Sequence, residues 1–296
     1  MNIDFRVYAH FYEDICDYEK NFSKRQEVLN IHKNSIATIS HIKNQMRLAN
    51  LDRLVLHAQN ESSIDGNPTV TNEEISKLVN AYPDLFYGVA SVDPNDENHI
   101  IELENSYKNL KLKALRLNLS RLNINPLDNR LEKIFDLSNK YKKNIIFECG
   151  ISYDRGYSAK YANPALYEDL LIKYPKIKFC FTRFAWPYVK EAAMLMMKYK
   201  NAYTDTGALY FDSALEFYKD IFNNELRLSW VDRSLNHQII FASENPRFEQ
   251  IRMAKAMYQL GLHDNTLKLI MGENARDFLG VSDVWDYNKK NTNIRI

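Results

Sequence analysis

Short apolar runs alternate with longer amphipathic stretches along the whole chain, and that alternation sets the expected architecture. The short apolar runs predict strands at 3–8, 53–58, 86–92, 112–118, 144–149, 177–182, 201–205 and 238–243. Apolar positions recurring at helical spacing predict helices at 36–49, 72–81, 98–108, 130–141, 164–173, 189–198, 214–222 and 248–260. The punctuation agrees. Thr71-Asn72-Glu73-Glu74 offers a capping hydroxyl followed by acids at the positive end of a helix dipole. Pro164 and Pro187 suit a first helical turn, while Pro83 and Pro175 remove a donor just ahead of a strand.

Strand-then-helix units in succession predict a parallel α/β sheet, because parallel neighbours need a crossover connection. Eight such units are the number that closes a (β/α)8 TIM barrel. A chain of 296 residues accommodates one, since a single barrel takes about 250. An open doubly wound sheet is the rival, but its Gly-rich first turn is missing. The longest irregular stretches, 9–35, 59–70, 151–163 and part of 208–237, all follow strands. They therefore belong on the C-terminal face, where barrel active sites form. The barrel is expected to span 1–281, with 282–296 as a C-terminal tail.

Composition narrows the function classes. The hydrophobic share of 45% and charged share of 26% are those of an ordinary folded protein. With 39 Lys+Arg against 38 Asp+Glu, the net charge of +1 gives no electrostatic footprint for nucleic acid. The basic run 140–143 reads as a solvated helix end. No stretch reaches the roughly 18 apolar residues that span a bilayer, and the opening lacks the regions of a secretory signal. A cytoplasmic protein without a membrane partner is expected. The three cysteines form no CxxC pair, and neither GxGxxG nor GxxxxGK[ST] occurs, so no nucleotide cofactor is expected. An isologous homodimer is the default assembly.

Several segments, in order, resemble the amidohydrolase-related (amidohydrolase 2) family. They are Phe86-Tyr87-Gly88-Val89-Ala90-Ser91-Val92-Asp93-Pro94, Tyr174-Pro175-Lys176-Ile177-Lys178-Phe179 leading to Trp186-Pro187, and Asn201-Ala202-Tyr203-Thr204-Asp205-Thr206-Gly207. Ile240-Phe241-Ala242-Ser243-Glu244-Asn245-Pro246 resembles the eighth-strand motif, and Gly272-Glu273-Asn274-Ala275-Arg276 the closing helix. The opening Ile3-Asp4-Phe5-Arg6 resembles a branch carrying Arg where other members place the first metal-ligating His.

The resemblance implies a barrel whose metal is held by His-x-His on the first strand, His on the fifth and sixth, and Asp on the eighth, and lowers the pKa of a bound water. Aligned position by position, this chain departs at each ligand. Arg6 and Tyr8 replace the first pair, Glu148 the fifth-strand His, Arg183 the sixth-strand His and Glu244 the eighth-strand Asp. Guanidiniums keep their protons and cannot ligate a metal. No metal and no other cofactor are therefore expected. A shifted register laying Tyr8-Ala9-His10 over the His-x-His would leave one candidate ligand.

Arg6, Arg183, Glu148 and Glu244 are expected to form a neutral ion-pair cluster in the vacated site, with Tyr8 hydrogen-bonded to it. One reading makes the chain a metal-independent hydrolase, lactonase-like as in some relatives, or a lyase. It would act on a small anionic substrate held by arginines, with Glu244 as general base. Arg116 and Asn118 face one side of the fourth strand by alternation. From there Arg116 either grips the anion or pairs with an acid such as Asp205. Trp186 is a candidate apolar wall, and Cys149 is expected to point away from the pocket. A second reading is a catalytically inactive pseudo-amidohydrolase that binds or interacts. A third is a weak divalent site at Glu148, Glu244 and Asp205.

Overall fold

The computed structural model describes residues 1–151, 156–207 and 213–281. Eight strands follow one another around a single parallel sheet: β1 Ile3–Val7, β2 Arg53–His57, β3 Phe86–Ser91, β4 Ala114–Leu117, β5 Asn144–Phe147, β6 Phe179–Phe181, β7 Ala202–Asp205 and β8 Ile239–Ile240. Each lies inside its predicted run. Closure between last and first is carried by Phe5 N–H to the Phe241 carbonyl at 2.9 Å, Tyr8 N–H to Asn245 at 2.8 Å and Glu244 N–H to Arg6 at 3.1 Å. The protein is a (β/α)8 TIM barrel.

Helices at Asn72–Ala81 and Val189–Lys198 have the predicted bounds. The first opens on a capping box between Thr71 and Glu74. Others depart at their ends. The 164–173 segment begins as a 3-10 turn, and the 214–222 segment passes at Asp220 into a wider π turn. The loop after β1 holds a helix, Ser23–Leu29, that the linear pattern did not announce. Arg25 ties that loop down through the carbonyls of His10, Ile15 and Thr69 and the Glu74 carboxylate. The tail 282–296 and parts of the loops after β5 and β7 lie outside the described residues.

Alternation decides what fills the barrel. Phe5, Val55, Val89, Ala114, Ile146, Cys180, Tyr203 and Ile240 point inward as one fully packed layer, and Phe278 seals it at the N-terminal end against Phe5. The opposite side chains join the larger layer under the helices. Above the inner plug, the next inward positions carry the polar residues of the C-terminal mouth, and on β1 an irregularity in the pairing between Asp4 and Val7 lets Arg6 follow Phe5 inward.

Candidate active site

β1 delivers Arg6 and Tyr8 to that mouth, β4 delivers Arg116, and Glu148, Arg183, Asp205 and Glu244 stand at the ends of β5 to β8. Arg6, with no exposed surface, grips Asp205 through Nε and Nη2 at 2.9 Å each and approaches Glu244 at 3.3 Å. Arg183 holds both Glu244 oxygens through Nε at 3.1 and 3.0 Å and Glu148 through Nη1 at 2.7 Å. Arg116 completes the chain, donating to Glu148 at 2.9 Å and to Glu61 at 2.8 Å. Tyr8 donates its hydroxyl to Glu148 at 3.1 Å. Beyond Glu61, Arg121 lies 3.6 Å away and pairs with both oxygens of Asp65.

Local backbone makes these contacts. After β6 the chain enters a left-handed turn, with Arg183, Phe184 and Ala185 at φ of 60°, 51° and 51°, each costing about 1–2 kcal/mol outside glycine. That turn aims the Arg183 N–H at Asp205 Oδ1, 2.9 Å away. Glu244 also sits left-handed, at φ 64°. Gly207 has to be glycine, because a Cβ there would lie 1.8 Å from Arg6 Nη2.

Arg6, Arg116, Arg121 and Arg183 face Glu61, Asp65, Glu148, Asp205 and Glu244, four cations against five carboxylates among the described residues. The expected pairing of Arg6 and Arg183 with Glu148 and Glu244 forms within a larger network than the sequence suggested. Burial opposes every one of the strongly shifted charges, and the partners outweigh it. Asp205 and Glu244 hold the Arg6 guanidinium well above its usual range, and Glu61 and Glu148 do the same for Arg116. Burial likewise raises the Glu148 carboxyl, but Arg183, Arg116 and Arg6 reverse this and hold it well below the carboxylate range. Burial and then Glu148 push the Tyr8 phenol up, so it stays protonated.

Beside the cluster opens a cavity of about 130 Å³, lined among others by Tyr8, Arg116, Asn118, Arg121, Glu148 and Arg183. Arg247 and Tyr157 complete its rim, and Arg121 lies over the Tyr157 ring at 4.8 Å. Five predicted residues therefore face it: Tyr8, Arg116, Asn118, Glu148 and Arg183. Arg6, Asp205 and Glu244 are gathered behind them, outside the lining, so of the arginines and the base that the hydrolase reading brings to the substrate, Arg6 and Glu244 do not face the cavity. Trp186 is also absent from the lining and packs against the helix-side core, because the left-handed turn carries it past the mouth. Arg116 pairs with Glu148 and Glu61 rather than Asp205, whose oxygens Arg6 has taken. Cys149 belongs to the helix-side core but is also among the residues lining the cavity, so the expectation that it points away is met only in part, and burial pushes its thiol far up.

Glu61, Arg121 and Arg247 were missed. They stand in loops, where no periodicity assigns a direction, although the loop after β2 was flagged by its place on the C-terminal face. His10 and His57 each make one ring hydrogen bond, to Gln59 and to the Phe5 carbonyl, both at 2.9 Å. Their Nδ1 atoms are buried without a partner, and burial first of all pushes both rings down to about 3.

The donor set does not fit a divalent ion. Arg6 stands between Asp205 and Glu244, and Arg183 between Glu244 and Glu148, so the carboxylates that could ligate already accept from fixed cations. Among the described residues no three His, Cys, Asp or Glu side chains are grouped to hold a metal ion.

A family model described as Amidohydrolase matches residues 46–281. No curated protein sequence matches the chain. Among solved structures, an uncharacterized TIM-barrel protein of Bordetella bronchiseptica superposes with a TM-score of 0.75 at 16% identity, over 94% of this chain and 98% of that one. The 4-oxalomesaconate hydratase of Rhodopseudomonas palustris gives 0.64 at 17%, over 99% and 100%. A 2,6-dihydroxybenzoate decarboxylase from Rhizobium gives 0.65 at 11%, over 94% and 98%.

Proposed function

The chain belongs to the amidohydrolase family, and on that premise we propose that it is a metal-independent enzyme acting on a small anionic substrate bound among Arg116, Arg121, Arg183 and Arg247. The observation that carries this reading is the lining of the mouth cavity, four guanidiniums against the single carboxylate of Glu148. Fixed cations in a water-poor site stabilise developing negative charge without reorganising. Two structural relatives are named for reactions of oxalomesaconate and dihydroxybenzoate, which is in keeping with an anion in this place.

Between a lactonase-like hydrolase and a lyase, the geometry favours the lyase. Hydrolysis needs a base near neutrality to activate water, and the carboxylate facing the cavity is held far too acidic for that. Glu244, the base expected from sequence, stands behind Arg183 and acts in this reading by orienting it. What faces the cavity is a hydrogen-bond donor, the Tyr8 hydroxyl, and cations that can hold a carboxylate or an enolate. Tyr8 is assigned as a hydrogen-bond donor to the developing oxyanion once its hydroxyl turns from Glu148, and Arg116 and Arg183 as the anion grip.

One observation favours a second reading, that of a pseudoenzyme. Glu148 itself occupies the inner faces of Arg116 and Arg183, so the grip is already filled by a carboxylate of the chain. Calorimetric titration with small mono- and dicarboxylates, alongside turnover assays on carboxylated enols, aromatic acids and lactones in chelator, separates the readings. Arg116→Gln is expected to weaken anion binding at least about tenfold. Tyr8→Phe is expected to abolish turnover while sparing binding. Binding without any turnover supports the pseudoenzyme; no anion binding refutes both.

A further inference from the structure

At the opposite end of the barrel, the turns from helix to strand gather charge that the overall balance conceals. Segments 108–113, 140–143, 174–178 and 198–200, which lead into β4, β5, β6 and β7, hold ten lysines and no acidic residue. The sheet register joins them. Ala114 lies opposite Asn144, which sets Lys113 beside Lys143. Ile145 opposite Phe179 and Phe179 opposite Ala202 carry the row on to Lys178 and the turn holding Lys200. Neighbouring strands lie about 4.8 Å apart, so the four turns form one continuous arc. The matching turns ahead of β2 and β3 carry Asp52 and Asp84 instead.

Three of these lysines are answered nearby, Lys140 by Glu104 at 3.3 Å, Lys178 by Asp277 at 2.6 Å and Lys198 by Glu168 at 2.6 Å. Lys111, Lys142, Lys176 and Lys200 are exposed and form no ion pair among the described residues. Burial first, and then Lys113 alongside, pushes the Lys143 ammonium down to about 8.

We infer that this face docks on an anionic lipid surface, leaving the cavity at the far end of the barrel open to solution. The turns are short and none projects an element, so the face presents a field of point charges rather than a probe. Lysine asks no fixed geometry of its partner, and a planar array of acidic headgroups attracts each nearby lysine about equally. Reading a nucleic-acid groove requires a helix or ribbon that enters it, and nothing in these turns does. No described helix is long and apolar enough to cross a membrane, so attachment here is peripheral. The expectation of no membrane partner rested on apolar run length and on the opening residues, neither of which senses such an arc.

Co-sedimentation of the full chain with phosphatidylcholine vesicles, with and without phosphatidylserine, tests the assignment. Binding is expected only with phosphatidylserine and only at low salt, since screening shortens the reach of exposed charges. Combining Lys111→Glu, Lys142→Glu, Lys176→Glu and Lys200→Glu should weaken it at least about 100-fold, with melting temperature and carboxylate binding in the cavity unchanged. Should that variant misfold, Lys142→Glu with Lys200→Glu is expected to lose about tenfold. The inference is overturned by absence of binding at low salt, by equal binding to neutral vesicles, by indifference to the substitutions, or by duplex RNA displacing the vesicles.

Discussion

At the scale of single residues, the energetics turn on charges that cannot be left alone. Arg6 is fully buried, and its removal strands Asp205 in the same dry environment. Breaking one side of such a pair costs about 3–5 kcal/mol, so Arg6→Gln should lose that much in denaturant unfolding. A loss below about 1 kcal/mol would mean the pair is solvated. Asp4 behaves in the opposite sense. It lies outside the barrel interior, accepting from Ser243 N–H at 2.8 Å, from the Ser243 hydroxyl at 2.5 Å and from Gln250 at 2.8 Å. Burial nevertheless outweighs these donors and pushes its carboxyl up to about 6. A value raised on folding means that the native state favours the protonated form. The stabilisation is complete below the unfolded value near 4 and is lost as pH rises through about 6, a change of about 3 kcal/mol. The pH dependence of stability across that window should flatten in Asp4→Asn. That variant should also be less stable, because its amide turns a donor toward Ser243 or Gln250. An unchanged slope would show that another group carries the effect.

At the scale of elements, strand ends are where the chain's local choices become a site. Gly207, two residues past β7, sets its backbone against the Arg6 guanidinium and its N–H on Asp205 Oδ1 at 2.9 Å. Gly207→Ala must push Arg6 off Asp205, and the cost should approach that of Arg6→Gln. The two together should cost little more than either alone, since both remove one contact. Full additivity, read by the same denaturant curves, would count against the arrangement. This element also shows what was legible beforehand. The strands were readable because short apolar runs alternate with amphipathic stretches, and alternation put Arg116 and Asn118 on one side of β4, the side on which the cavity opens. Arg6, Glu148, Arg183 and Glu244 could be grouped beforehand because the family resemblance lays them on the positions of its metal ligands. The reach of Arg6 to Asp205 rather than outward was not readable, since it depends on the glycine that makes room. Trp186 was misplaced because three consecutive left-handed residues redirect the chain after β6, and no rule for non-glycine residues anticipates that. Glu61, Arg121 and Arg247 escaped for want of any period in loops, although together they extend the cluster and its cavity.

For the molecule as a whole, a network of fixed charges at the mouth should make stability answer to anions and not to divalent ions. A ligand that binds only the folded chain adds about 2.7 kcal/mol at one hundred times its dissociation constant, which moves a melting transition of a domain this size by several degrees. Small carboxylates are expected to produce that rise through Arg116 and Arg183, whereas zinc or manganese should add nothing and a chelator should remove nothing. Glu148 sharpens the test, because it holds the very donors an incoming carboxylate needs. Glu148→Gln gives up a charged acceptor and should lower the intrinsic melting temperature, while tightening carboxylate binding about tenfold by freeing part of the grip. Stability and affinity would then move in opposite directions from one substitution, which a merely misfolded variant cannot imitate. A divalent ion that raised the wild-type transition, with a chelator reversing it, would show that the arginines yield their carboxylates to metal, and the charge network would have to be redrawn around that ion.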